Sequence, residues 1–219
     1  IKIIYIAMEN IIILSNTCVG YYIYRDYLKK KYDNPFIGSI FINDLDYINL
    51  VNNMNYYINI EPKIGQANEK SLFNLQSKNK YYYHKTINYK YVVIYLENIE
   101  IHFIHEKNEN ECLNKFKTRW NRFKSLFLQK NTKIYSLLSF SELLNNHENL
   151  EELIDLYLKK DKNNINKLFL GPSNLDKNND EKYIKVDEWN NISLERSVSH
   201  IYKFNNQTFS VNKFIKKIN

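Results

Sequence analysis

The chain has 219 residues, of which 44% are hydrophobic and 25% charged, and its formal net charge is +7 at pH 7. That length can bury a substantial core and that composition excludes wholesale disorder, so one folded domain with a weaker tail is expected. The positive balance admits an anionic partner, but its 31 basic residues are interleaved with 24 acids, and neither a basic helix nor an aromatic sheet motif points to nucleic acid.

The opening Ile1 to Ala7 is apolar but too short to span a membrane, and Met8 reads as a natural start. Asn10 to Ser15, with the continuous run Ile11-Ile12-Ile13-Leu14, reads as a buried parallel strand in the centre of a sheet. From Val19 to Lys31 apolar residues recur at helical spacing until Asp33-Asn34-Pro35 stops the helix, leaving Lys29-Lys30-Lys31 at its C-terminal end, where cations complement the dipole. Phe36 to Ile42 then gives a second strand, and Asn43 or Asp44 caps a helix carrying Leu45, Ile48, Val51 and Met54. Residues 61–79 are polar and aperiodic, a long excursion from the core. Tyr91 to Leu96 and Ile99 to Glu106 form a hairpin around Glu97-Asn98, with Ile99, Ile101, Phe103 and His105 on one face and Glu100 and His102 on the other. A helix from Asn108 to Gln129 carries the stripe Leu113, Phe116, Trp120, Phe123 and Phe127. Thr132 to Phe140 reads as a strand, Ser141 to Lys159 as a helix, and Lys167 to Leu170 as the last core strand. A weaker strand follows near Tyr183 to Val186. The natural packing is a three-layer α/β/α Rossmann-like sheet with a hairpin, comprising a core of residues 8–172 and a polar C-terminal extension of residues 173–219.

A strand ending in Ser15-Asn16-Thr17-Cys18-Val19-Gly20 and feeding a helix sets backbone amides and small polar side chains at a positive helix end, a setting suited to an anion. The same dipole would lower the Cys18 thiol pKa and make it a nucleophile. Against this, free cysteine is among the most commonly buried residues and Gly20 serves equally for close helix packing. His105 is the candidate base for Cys18. Arg119 and Arg122, one helical turn apart, can jointly hold a phosphate or carboxylate, or make ordinary surface salt bridges. Cys18 and Cys112 show no metal-ligand spacing, which suits a reducing, cytoplasmic setting. The acids of Asp44-Leu45-Asp46 are explained by helix capping, so neither metal nor cofactor is expected.

Taken together, Ile13 to Gly20, Asn34-Pro35-Phe36, the strand Ile99 to His105, and Arg119 with Arg122 resemble a bacterial family of unknown function whose members are often labelled exopolysaccharide biosynthesis proteins. That family usually carries Ser-Asn-Asn-Cys-Trp-Gly-Gly at the turn; here Thr17, Val19 and Tyr21 replace the second Asn, the Trp and the second Gly. The resemblance implies a Rossmann-like fold and a role in making or decorating surface glycans. On that basis the expected function is a glycosyltransferase-like transferase with a nucleotide-linked sugar or other phosphate-bearing glycan intermediate as partner, bound by Ser15, Asn16, Gly20, Arg119 and Arg122, without stable membrane insertion. Two alternatives stand beside it: a cysteine-dependent hydrolase or acyltransferase using Cys18 and His105, and a non-catalytic binding protein of a glycan pathway.

Overall fold

The computed structural model describes residues 10–17, 20, 34–72, 91–103, 105–139, 150–159, 164–172 and 182–186. They form an α/β domain with two sheets. Four parallel strands make the first, in the order β1 (Asn10–Ser15), β5 (Thr132–Ser139), β6 (Ile165–Pro172), β7 (Tyr183–Val186). The second is antiparallel, in the order β2 (Lys63–Gly65), β3 (Val92–Leu96), β4 (Ile99–Phe103). Four helices are described: α1 (Asp44–Asn52), α2 (Met54–Tyr57), α3 (Glu109–Phe127) and α4 (Leu150–Leu158).

Ile12, Ile13 and Leu14 of β1 are buried to within 1% exposure, as the unbroken apolar run requires of a strand covered on both faces. Among the described residues β1 comes first in the parallel order, where the sequence reading sets it at the centre. An apolar run reports burial of both faces and says nothing about which neighbours a strand pairs with. Beyond residue 173, β7 pairs in parallel with β6 from Phe169↔Tyr183 to Pro172↔Val186, so part of the C-terminal region contributes a strand to the sheet.

The expected strand from Phe36 to Ile42 is instead a turn over residues 35–38, followed by a single bridge between Ile40 and His102. The cause is local. The Asn34 side chain captures the Phe36 amide at 2.8 Å, an Asx-type turn, and Gly38 takes φ 80°, a left-handed conformation that favours glycine. Ile40 and Phe41 nonetheless link the two sheets: the Ile40 amide donates to the His102 carbonyl at 2.9 Å and the Phe41 amide to the Asn16 carbonyl at 3.2 Å.

Residues 61–79, read as an aperiodic excursion, contribute β2 and a helical stretch at 69–72. β2 is a three-residue, half-exposed strand, too short to show a period. The hairpin stands where expected, its register closing at Leu96↔Ile99 with Glu97 at φ 57°. Asn108 caps α3 through its side chain to the Glu111 amide. The buried face of α3 sets Phe116 and Trp120 against Phe36, at ring-centroid distances of 6.2 and 6.0 Å, while Phe103 meets Phe116 at 5.7 Å. α1 and α4 meet over β5, where the Tyr47 and Tyr157 hydroxyls each lie 2.8 Å from Ser136 Oγ. The three buried hydroxyls satisfy one another, which removes the cost of burying them singly.

Candidate functional site

β1 and β5 run in parallel, and their ladder ends at Ser15↔Leu137. Past that rung the Asn16 side chain takes over. Its Oδ1 accepts from the Ser139 amide at 2.8 Å, and its Nδ2 donates to the Ser139 carbonyl and to Asp44 Oδ1, each at 3.2 Å. A carboxamide has the donor and acceptor of a peptide unit, so Asn16 extends the ladder by one rung with its side chain. That arrangement frees its backbone to leave the sheet, while its carbonyl accepts from Phe41. Asn16 and Asp44 are 1% and 3% exposed, so Asp44, the first residue of α1, serves as a buried acceptor at the edge of the parallel sheet.

The turn is fixed from three more directions. Ser15 Oγ accepts from the Thr17 amide at 3.3 Å. Asn34 Nδ2 donates to the Ile13 carbonyl at 2.6 Å, tying the 34–38 turn to β1. Gly20 is helical and buried, and a Cβ there would lie 3.0 Å from Ser15 Cβ. Glycine therefore permits a close helix-to-strand approach. Ser15, Asn16 and Gly20 thus sit together at the carboxyl end of β1, where open α/β sheets usually build their sites. Cys18, the expected nucleophile of this turn, lies outside the described residues.

Arg119 is half-buried on α3 and reaches the carbonyl of Ile37 through Nη1 at 3.4 Å. It therefore abuts the turn that Asn34 anchors to β1. Arg122, one turn further on, is exposed, and Trp120 between them is buried. His105 does not end a strand as expected: β4 stops at Phe103, and His105 is an exposed turn residue. Cys112, the other cysteine, is buried in α3, and burial pushes its thiol up to about 12, which keeps it protonated and inert.

A second polar cluster was not expected from the sequence. Glu100 and His102 lie on one face of β4 and are 1% and 0% exposed. Glu100 accepts from the Asn68 amide at 2.9 Å, from Asn68 Nδ2, and from Ser71 Oγ at 2.7 Å. Its own amide donates to Asp46 Oδ2 at 3.2 Å. His102 Nδ1 shares a 2.9 Å hydrogen bond with Tyr91, while Nε2 lies 3.4 Å from Glu100 Oε1 without forming one. Burial pushes the His102 imidazole down to about 3, so it is neutral, and raises Glu100 above the ordinary carboxylate range. Asp46 is raised to about 6, chiefly by burial and further by the Glu100 charge. The available signal was two polar residues alternating within Ile99-Glu100-Ile101-His102-Phe103. Because both faces of this strand are buried, such residues must carry partners.

Among the described residues, no group of three or more His, Cys, Asp or Glu side chains could hold a metal, and no helix is long and apolar enough to cross a membrane. An uncharacterized protein of Haemophilus influenzae is 26% identical over 116 residues, which amount to 53% of this chain and 46% of the relative. The similarity thus spans less than half the length of that relative. The family described as "Domain of unknown function (DUF1919)" matches residues 4–150. That match covers more than half of the chain and takes in both the Asn16 turn and the Glu100 cluster, so the chain belongs to the DUF1919 family.

Proposed function

We propose that this domain is a transferase of surface-glycan assembly, glycosyltransferase-like, that holds a nucleotide-linked or otherwise phosphate-bearing donor at the carboxyl end of β1. The observation that carries the reading is the Asn16 side chain, which continues the β1–β5 ladder to Ser139 and frees the main chain to leave the sheet beside Gly20, packed against Ser15. A turn built this way at the end of a parallel strand is where α/β folds bind phosphorylated ligands. Arg119, set against the neighbouring 34–38 turn, supports an anionic donor, since a guanidinium pairs with phosphate through two parallel hydrogen bonds. The glycan assignment rests on the resemblance to proteins labelled for exopolysaccharide biosynthesis.

The test is a thermal-shift screen of nucleotides, nucleotide sugars and lipid-linked sugars. A ligand at about 100 times its Kd adds about 2.7 kcal/mol of stability, a readable rise in Tm. The Arg119→Lys, Arg122→Lys double variant should keep its own Tm but lose most of the ligand-induced rise, because an ammonium cannot reproduce the planar fork. A ligand-induced rise unchanged in that variant would remove the anionic-donor reading. No rise with any phosphate-bearing compound would remove the transferase reading as well.

A further inference from the structure

Glu100 is fixed to a segment with four of its seven residues exposed. Gln66, Asn68, Glu69 and Lys70 are exposed, yet Asn68 and Ser71 direct three hydrogen bonds to this one buried carboxylate. Asn68 also organises the segment internally: its Oδ1 accepts from the Ser71 amide at 2.8 Å and its carbonyl from Leu72 at 3.0 Å, which opens the helical stretch at 69–72. Tyr95, which donates to the Gln66 carbonyl at 2.7 Å, anchors the other end.

The surroundings give that carboxylate two partners to choose between. Oε1, which accepts from the Asn68 amide, also lies 3.4 Å from His102 Nε2, a fully buried nitrogen with no hydrogen-bond partner. An ionised Glu100 suits the donors of the 66–72 segment. A protonated Glu100 carries an O–H that the neutral His102 accepts at Nε2, with Nδ1–H then donating to the Tyr91 oxygen. We propose that residues 66–72 form a strap pinned by the Glu100 carboxylate, and that protonation at Oε1 turns that oxygen from the Asn68 amide to His102 and, by removing the negative charge, weakens the Asn68 Nδ2 and Ser71 Oγ bonds at Oε2 and loosens the strap. One proton from solvent is added to Oε1 and the His102 ring stays neutral, while Asp46, which titrates near 6, keeps its bond from the Glu100 amide.

The groups facing Glu100 make this change accessible in mild acid. Asp46 on α1 adds a second negative charge, Lys70 within the strap acts on Asp46, and the Tyr95 hydroxyl on β3, which donates to the Gln66 carbonyl, lies beside Glu100. His102 on β4 is held neutral by burial and supplies no positive charge. Burial outweighs the donors and raises Glu100 above the usual carboxylate range, so its proton binds at a less acidic pH than it would in a free chain.

Hydrogen exchange at the amides of Asn68, Ser71 and Leu72, corrected for intrinsic rates, tests the strap. Protection should fall by about 10- to 100-fold between neutral and mildly acidic pH, the fold-change expected when hydrogen bonds to a charged group are lost. Glu100→Gln should show the lowered protection at neutral pH and no further change in acid. Ser71→Ala, a smaller change, gives a readout even where Glu100→Gln fails to fold, and should lower protection by about tenfold while retaining the pH dependence. His102→Leu, which removes the receiving nitrogen, should shift release to lower pH. Protection that is independent of pH in the wild type, or unchanged in Ser71→Ala, overturns the proposal.

Discussion

Replacing Asn16 with Ala tests the side-chain rung most directly. The substitution leaves the Ser139 amide and carbonyl without the partners they have at 2.8 and 3.2 Å, and removes the donor to Asp44 Oδ1. Asn16 and Ser139 are 1% and 0% exposed, so water does not replace these bonds without cost. A buried backbone group left unsatisfied costs about 1–3 kcal/mol. Two such groups, partly relaxed, together with a weakened acceptor site at Asp44, give an expected loss of about 3–5 kcal/mol. For a chain of this size that corresponds to a fall in Tm of roughly 6–20 °C. Urea unfolding should show a lower midpoint at unchanged m-value. Asn16→Asp should be no milder, since it keeps an acceptor for the Ser139 amide but sets a second carboxylate against Asp44. A loss below about 1 kcal/mol in Asn16→Ala would refute the rung, because a side chain that matters so little cannot be fixing the exit of β1.

Gly20→Ala should lower stability by about 1 kcal/mol, at the mild end of overpacking, because the new methyl meets Ser15 Cβ at 3.0 Å and must push the helix from the strand; a gain in urea midpoint would show that the approach has slack. Asp46→Asn should stabilise the protein at neutral pH by about 1–2 kcal/mol, because folding raises the Asp46 pKa from 3.8 to about 6, mainly by burial, and the single amide oxygen keeps the bond from the Glu100 amide but gives up the one from Asn43. The protonated native form is favoured below the unfolded pKa and that stability is lost as pH rises through about 6, so wild type and variant should converge in acid and diverge across this window; parallel curves would contradict the burial argument. Cys18→Ser should leave both turnover and the ligand-induced rise in Tm intact under the transferase reading, whereas abolished turnover with the rise retained would favour the cysteine-dependent alternative.

What the sequence made legible follows from the range of the forces involved. β1, the hairpin, α3 and β5 depend on periodic burial and on local caps such as Asn108, and those signals lie within a few residues of the elements they define. Ser15, Asn16 and Gly20 were legible as a turn for the same reason. The apolar residues of segment 36–42, Phe36, Ile37, Ile40, Phe41 and Ile42, suit a strand, but the Asn34 side chain and the Gly38 backbone shape a turn that still buries Phe36 and Phe41 at 2% and 1% exposure. His105 lies two residues past the last paired rung of β4, and alternation alone does not mark where pairing ends. The Glu100 cluster is not legible in the sequence because its partners come from two separate stretches, Asp46 from α1 and Asn68 with Ser71 from the 66–72 segment, and no local pattern announces a contact made across the fold.

The parallel sheet also shows why the folding unit is longer than the stretch the family match covers. That match ends at residue 150, which leaves β5 with β1 on one side but without β6, to which it is paired from Ile134↔Ile165 to Ser139↔Leu170. An exposed edge of six paired rungs on a strand whose Ile134 to Ser139 are all buried would invite association. α4 makes the same point through packing, since Leu153, Ile154, Tyr157 and Leu158 are buried and each contributes about 1.5–3 kcal/mol, a total comparable to the whole net stability of an ordinary domain. Lys167 then binds the end of α4 to β6 by donating to the Lys159 carbonyl at 2.8 Å. The Ser139 rung that Asn16 completes is therefore held from both sides of β5, by β1 within the family match and by β6 beyond it.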